Sequence, residues 1–358
     1  MTRVWDVPVH DSTRVRDVRV AAESAASHAG LGRDRTAVAA LVATELATNL
    51  LKHAGGGRIL IDTVDGGPAR PDGERGRTVQ IVAIDHGPGM SDLPAALRDG
   101  YSTASSLGAG LGTCRRVADD FDVQTAPGRG TVALARVHAV PPTRSRRGKG
   151  EDDGVPVRAG GINIPLAAAE YSGDAWACVR DGDLVTLLLA DGLGHGEPAA
   201  EASGAALEEL RRSARLPPAE LLGQLHTALR PTRGAAVAVA QLDLAAGQLD
   251  FAGIGNIGAR LRTGDTWRAL LSHPGIVGAH RPARLPRCRV PWTGDSLLIM
   301  HSDGLPSRWT PPPAVPLTTL DPAVTAAVIV RDSSSPARPV RDDTTVAVLT
   351  PAPADSRP

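Results

Sequence analysis

The sequence predicts an α+β protein in two domains, and three observations carry that reading. Before residue 140, helix and strand signals alternate in mixed order, the pattern of helices packed on one face of a largely antiparallel sheet. After residue 156, strand pairs come first, then two helical stretches, then more strands. Between the halves, "VPPTRSRRGKGEDDG" (Val140–Gly154) carries Pro, Gly and opposed charge blocks without apolar periodicity, and reads as an exposed linker. The expected layout is a first domain over 1–139, a linker over 140–156, a second domain over 157–350 and a disordered tail over 351–358.

Composition fits that layout. A chain of 358 residues can bury two ordinary cores, and with Phe, Trp and Tyr numbering nine in all, those cores must be built from Ala, Val and Leu. Formal net charge is zero, so there is no basic field to attract nucleic acid or an anionic membrane. No apolar run approaches the roughly 18 residues needed to span a bilayer, and the start, "MTRVWDVPVHDSTRVRD", is charged throughout. Cys114, Cys178 and Cys288 are odd in number and far apart, which argues against a disulfide framework or a zinc site and for a reducing cytoplasm.

In order along the chain, apolar periodicity predicts helices at about Val15 to Ala29 and Thr36 to His53. Strands "RILIDTV" and "TVQIVAIDH" follow, joined by a polar loop from Asp65 to Arg77. A helix at about Gly110 to Asp119 and strands "FDVQTA" and "GTVALARV" complete the first domain. In the second, "DAWACVRDGDLVTLLLAD" reads as a hairpin about an Asp-Gly turn. Helices at about Pro198 to Ala214 and Pro218 to Leu229 come next, then strands in "GAAVAVAQLDLAAGQLDFAGI", "IGARLRTG", "DSLLIMHSDG" and "TTVAVL".

One helix is chemically odd. In "ELATNLLKHAGGG", Glu45, Asn49, Lys52 and His53 stand at i, i+4, i+7 and i+8, on one face at a period of 3.6. A solvated face with cations at the helix C-terminus would look the same. Yet Lys52 and Lys149 are the only lysines against 37 arginines, which points to a place that wants a compact point charge. Downstream, Asp85, Gly87 and Gly89 follow a strand in "IVAIDHGPGM", Gly100, Gly108, Gly110 and Gly112 precede a helix, and Thr131 opens a strand after "APGRG". Glycines before a helix N-terminus let backbone N–H groups approach phosphate. No apolar strand runs directly into "GAGLGT", against a dinucleotide fold, and no Lys follows its glycines, against a Walker loop.

That ordered set resembles the GHKL superfamily of ATP-binding domains over about Ala37 to Val137, and within it the serine kinases of bacterial partner switching, the anti-sigma-factor branch. The resemblance implies a Bergerat-type α/β sandwich binding ATP with Mg²⁺. It implies that Asn49 holds Mg²⁺, that Asp85 accepts from the adenine amino group and that Gly87 and Gly89 admit the base. Lys52 and the lid amides of Gly108, Gly110 and Gly112 would hold phosphates, with Thr131 also in the pocket, and Glu45 would orient or deprotonate the attacking hydroxyl. Whether His53 joins the pocket or caps the helix stays open.

The second domain gathers acids at strand ends. Folding "DAWACVRDGDLVTLLLAD" about its turn brings Asp174 and Asp191 to the same open end, within about two residues of register. Asp303 follows "SLLIMHS", and Asp342 with Asp343 precedes "TTVAVL". A single Asp beside a strand commonly accepts a turn hydrogen bond. Several together repel unless cations lie between them, and oxygen ligands without His or Cys suit Mg²⁺ or Mn²⁺. The pieces "SGDAW", "ADGLGHG", "GIGNIGA", "HSDG" and "RDDTTVAVL" resemble the PPM-type serine/threonine phosphatases, in their SpoIIE-like sporulation and stress-response branch, over about Ala159 to Leu349. That resemblance implies an αββα sandwich with two metal ions bridged by Asp191. The Gly192 carbonyl, Asp174, Asp303 and Asp342 would complete the site, with Asp343, which stands where many relatives have Asn, as a further candidate ligand. His195 would either protonate the leaving group or pack the turn.

Together the resemblances imply a partner-switching regulator: a metal-dependent phosphoserine/phosphothreonine phosphatase joined to a serine-kinase-like domain, acting on a STAS-type anti-sigma-factor antagonist. They leave room for a sigma factor and for a second copy of the chain as partners. The alternative is a phosphatase whose first domain only binds ATP or a sigma factor, as a regulatory module without chemistry.

Overall fold

The computed structural model describes residues 3–69, 75–97, 110–140, 157–306, 308–312, 315–334 and 341–352. The chain divides into two compact units, one within Arg3–Gly150 and the other within Glu151–Pro358.

The first unit runs β1 (Trp5–Val9), α1 (Thr13–His28), α2 (Arg33–Asn49), β2 (Gly57–Ala69), β3 (Arg75–Ile84), α3 (Leu93–Ala96), α4 (Leu111–Val117), β4 (Asp120–Thr125) and β5 (Thr131–His138). Its five strands form one antiparallel sheet in the order β1-β2-β3-β5-β4. In α1, Val18, Ala21, Ala22, Ala25 and Ala26 are buried at helical spacing, and α2 buries Ala39, Val42, Ala43, Leu46 and Ala47. Small side chains let the two helices lie close while Ile59, Ile61, Val79 and Ile81 rise from the sheet to meet them in one core.

Two departures from the sequence reading matter here. The helix does not keep its 3.6-residue period to His53: after Asn49 it widens into a π-helical turn, Leu50–Ala54, closed by Gly55 at φ +71°. Lys52 and His53 are therefore rotated relative to Glu45, off the single face that an unbroken 3.6-residue period implies. The polar loop expected from Asp65 to Arg77 is also shorter, because β2 runs to Ala69 and β3 starts at Arg75.

The second unit runs β6 (Val157–Ile164), β7 (Asp174–Asp181), β8 (Leu184–Gly192), α5 (Glu197–Ser213), α6 (Pro218–Ala228), β9 (Ala235–Asp243), β10 (Gln248–Ile254), β11 (Gly258–Thr263), β12 (Thr266–Leu270), β13 (Cys288–Pro291), β14 (Leu297–His301), α7 (Pro322–Ser333) and β15 (Thr344–Pro351). Two antiparallel sheets result, ordered β13-β10-β9-β8-β7 and β12-β11-β14-β15-β6. Leu187 and Leu189 of β8 point into the core between the sheets with Leu298, Met300 and Leu349. Leu188 and Ala190 point the other way, under Leu207, Leu210, Leu221 and Leu225 of α5 and α6. Both faces of β8 are covered, which explains its unbroken apolar run. On the second sheet, α7 packs against β6 and β15. The architecture is αββα.

β1, β6, β12, β13 and α7 are absent from the sequence reading. Gly160 and Gly161 of β6 show why a strand without an apolar signature forms there. A side chain at Gly160 would stand 2.8 Å from the Ala323 nitrogen of α7, and one at Gly161 would meet the Trp176 ring at 2.9 Å. Strand β15 reaches Pro351, inside the stretch expected to be a tail. The linker lies almost wholly outside the described residues. All three cysteines are free, and no helix among the described residues is long and apolar enough to cross a membrane.

Leu188→Ala would open a cavity beneath α5 and α6, costing about 2–5 kcal/mol. The expected result is a lower urea midpoint with an unchanged slope.

Candidate functional sites

In the first unit, α2, the π turn and the loops after β3 and before β5 enclose a cavity of about 350 Å³ lined by Asn49, Lys52, His53, Asp85, Gly89, Met90, Gly110 and Thr131, among others. Asp85 organises its floor. Its Oδ1 accepts from the Gly87 N–H at 2.8 Å and the Thr131 N–H at 3.1 Å, fixing the turn to the sheet. Gly89 holds φ +67°, and a Cβ there would lie 2.0 Å from the Ala126 carbonyl oxygen. A Cβ on Gly87 would strike Ala54 at 2.7 Å, so this turn and the π turn nest only because glycine is present. The Asn49 Nδ2 is buried with no hydrogen-bond partner among the described residues, a donor that a polar ligand would satisfy. His53, left open in the sequence, lines the cavity.

Glu45 departs from expectation. Half-buried one turn before Asn49, it does not line the cavity. Burial raises its pKa and Lys52 pulls it back. Behind it, burial and then Glu45's charge push the Cys114 thiol up to about 12, so that cysteine is an inert core residue. Gly112 is buried inside the short α4, and Gly108 lies outside the described residues.

In the second unit the hairpin pairs Asp174 directly opposite Asp191. Its tip is a two-residue loop of Gly182, at φ +62°, and Asp183, one residue later than the Asp-Gly signal. The Asp174 carboxyl is 0% exposed, and neither oxygen has a hydrogen-bond partner among the described residues. Burial first, then Asp191, push its pKa well above the ordinary 3.8; the Ser302 and Thr345 hydroxyls pull the other way without closing a hydrogen bond, and Asp343 adds to the rise. Asp191 is raised to about 7 by burial and by Asp303, Asp342 and Asp343. Burial and Asp342 raise Asp303. These values mark one electrostatic cluster assembled from β7, β8, the end of β14 and the start of β15.

Local hydrogen bonds hold the members in place. Asp303 accepts from the Asn256 side chain at 2.7 Å, and Asp342 from the Asp343 N–H at 2.8 Å. Asp343 plays a different part, because its two oxygens accept from the Leu166 and Gly173 N–H groups, each at 2.7 Å, tying β15 to the segment before β7. Gly192 allows its strand end to sit against α5, since a Cβ would lie 2.1 Å from the Ala199 carbonyl oxygen. His195 is exposed and makes no hydrogen bond among the described residues. Asn256 and the Ser302 and Thr345 hydroxyls are site residues that the sequence reading missed; "GIGN" was the visible trace of the first.

Among the described residues no three His, Cys, Asp or Glu side chains converge as ligands of one ion. The donors nevertheless fit hard divalent cations. They are all oxygens, they repel one another, and two of them, on Asp174, are buried and unanswered.

Comparison with known proteins divides the chain at the same place. Residues 9–136 match the histidine kinase-like ATPase domain, and residues 181–351 match Stage II sporulation protein E (SpoIIE). The two matched stretches fall within the two units described above, the first similar to a histidine kinase-like ATPase domain and the second to SpoIIE. The chain is 38% identical over 89 residues to the serine/threonine-protein kinase RsbT of Bacillus subtilis (strain 168), a match spanning 25% of this chain and 61% of that relative's length. Solved structures similar to it include RsbX in complex with magnesium (TM-score 0.46, 20% identity, 57% of this chain and 98% of that one). A Bacillus subtilis SpoIIE structure, comprising its PP2C phosphatase domain and a fragment of its regulatory domain, has a TM-score of 0.48 at 15% identity over 94% and 93% of the two chains.

A carboxyl with a raised folded pKa binds its proton more tightly folded than unfolded, so its contribution to stability is full below about pH 4 and lost as pH rises through about 7. Above that, the ionised acids are best offset by cations. Mn²⁺ is expected to raise the melting temperature strongly at about pH 8 and weakly at about pH 5, and Asp191→Asn to remove most of that difference.

Proposed function

We propose that the second domain is a metal-dependent phosphoserine/phosphothreonine protein phosphatase, that the first binds ATP with Mg²⁺ as a serine-kinase-like module, and that the chain is a cytoplasmic partner-switching regulator acting on a STAS-type anti-sigma-factor antagonist. The observation that carries the phosphatase reading is the Asp174–Asp191 pair, one carboxyl buried without a partner and the other raised by three more acids.

In this reading Asp191, Asp174, Asp303, Asp342 and the Gly192 carbonyl hold two Mn²⁺ or Mg²⁺ ions, which supply when bound an activated water and charge neutralisation for phosphoryl transfer. Asp343 keeps Gly173, and with it Asp174, in register. A P–O bond to water forms as the bond to the seryl oxygen breaks, and the leaving oxygen takes a proton, for which His195 in the loop after Asp191 is the candidate donor. In the first domain Asp85 accepts from the adenine amino group, Gly87 and Gly89 admit the base, Asn49 holds Mg²⁺, and Lys52, Gly108, Gly110, Gly112 and Thr131 receive the phosphates. Glu45 would accept the proton of an attacking hydroxyl, with a raised pKa suited to a base.

One observation favours a narrower reading of the first domain. Glu45 stands outside the cavity lining, as a domain that binds ATP without transferring phosphate would allow.

With Mn²⁺ the protein should hydrolyse p-nitrophenyl phosphate and a phosphorylated STAS protein. Asp191→Ala should remove more than the roughly 100-fold that losing a mere supporting partner costs; unchanged activity would end the phosphatase assignment. Asn49→Ala should lose ATP affinity. With labelled ATP, transfer to the antagonist that disappears in Glu45→Ala supports the kinase, whereas binding without transfer in the parent supports the narrower reading.

A further inference from the structure

Beside the loop that follows Asp191 stands a cation, Arg233, with no acidic partner among the described residues. Arg233 stands just before β9, whose first residues pair with the end of β8: Ala235 lies opposite Gly192 and Ala236 opposite Asp191. The Leu193 N–H donates to the Gly234 carbonyl at 2.9 Å, so the loop after Asp191 is bound to the segment carrying Arg233. A Cβ placed on Gly194 would be 3.3 Å from the Arg233 guanidinium, and Gly194 holds φ +92°. Glycine there leaves the guanidinium room to lie along the loop that carries Gly192. The same Cβ construction on Gly173, against which the Asp343 carboxylate rests, finds the Gly194 carbonyl at 3.4 Å, so guanidinium, loop and acid cluster are consecutive neighbours.

Arg233 is exposed and makes no ion pair or hydrogen bond among the described residues. A bridge from Ala235 to Val277 brings the 271–286 segment alongside, and neither that segment nor 221–234 contains an Asp or Glu. Instead Arg230, His280 and Arg281 cluster about His226, whose Nδ1 accepts from the Gly278 N–H at 3.0 Å. Basic residues, not acids, thus stand on the segments beside Arg233.

A phosphoserine carries nearly two negative charges near neutral pH and must approach that acid cluster. Resting on the phosphatase reading above, we propose that Arg233 is the phosphoryl-binding residue of the site: its planar fork takes two nonbridging oxygens of the substrate and holds the phosphorus over the carboxylate cluster. A lysine would supply charge without the fork.

The test is calorimetric titration of inorganic phosphate, the reaction product, into the Mn²⁺-loaded full chain, alongside p-nitrophenyl phosphate kinetics. Arg233→Ala should weaken phosphate binding about tenfold or more and raise KM, with Mn²⁺ affinity and melting temperature unchanged. Arg233→Lys should recover part of the loss, and Arg268→Ala, on the edge strand β12, should change nothing. An active parent whose phosphate affinity is the same in Arg233→Ala overturns this inference alone. A parent that hydrolyses no phosphoester overturns the phosphatase reading and this inference with it.

Discussion

The second domain turns on one buried carboxyl. Asp174 is set opposite Asp191 by the register of a tight hairpin, whose β8 packs Leu187 and Leu189 between the sheets and Leu188 under the helices. The sheet therefore forces a carboxyl into a place with no exposed surface and no hydrogen-bond partner among the described residues. An uncompensated buried charge costs several kcal/mol, and Asp191 and Asp343 nearby add to the cost. A fold that keeps such a cluster is organised around something positive brought from outside.

The surrounding elements then have definite roles. Asp343 uses both oxygens on backbone amides, so it acts as a staple between β15 and the segment before β7. Asn256 steadies Asp303, and Gly192 lets α5 close over the end of β8. The first domain reaches a binding site by the opposite route. There the unanswered group is a donor, the Asn49 amide, and the walls are backbone turns held by Asp85 and kept open by glycines. One domain waits for cations among acids, the other for a polar ligand among donors.

Much of this was legible in the sequence because the responsible signals are local. The apolar run of β8 with a turn behind it, and acids at strand ends, led directly to the cluster. The missed strands β1, β6, β12 and β13 are all sheet edges, where only one neighbour pairs and apolar alternation is not required; Pro8 sits in β1 and a glycine pair in β6. Helix α7 went unread because it is buried nearly all round and so lacks a polar stripe. The π turn after Asn49 could not be seen from a 3.6-residue period, and it rotates Lys52 and His53 off the face that carries Glu45 and Asn49. Asn256 reaches Asp303 only because β11 pairs with β14, which no local pattern encodes.

The most direct test is anomalous diffraction from crystals of the full chain soaked in Mn²⁺. Two peaks are expected to share the Asp191 carboxylate, bounded by the Gly192 carbonyl, Asp174, Asp303 and Asp342, with Asp343 still bound to the Leu166 and Gly173 amides. No peak at Asp191, with Mn²⁺ bound elsewhere or not at all, would contradict a metal centre built on the Asp174–Asp191 pair.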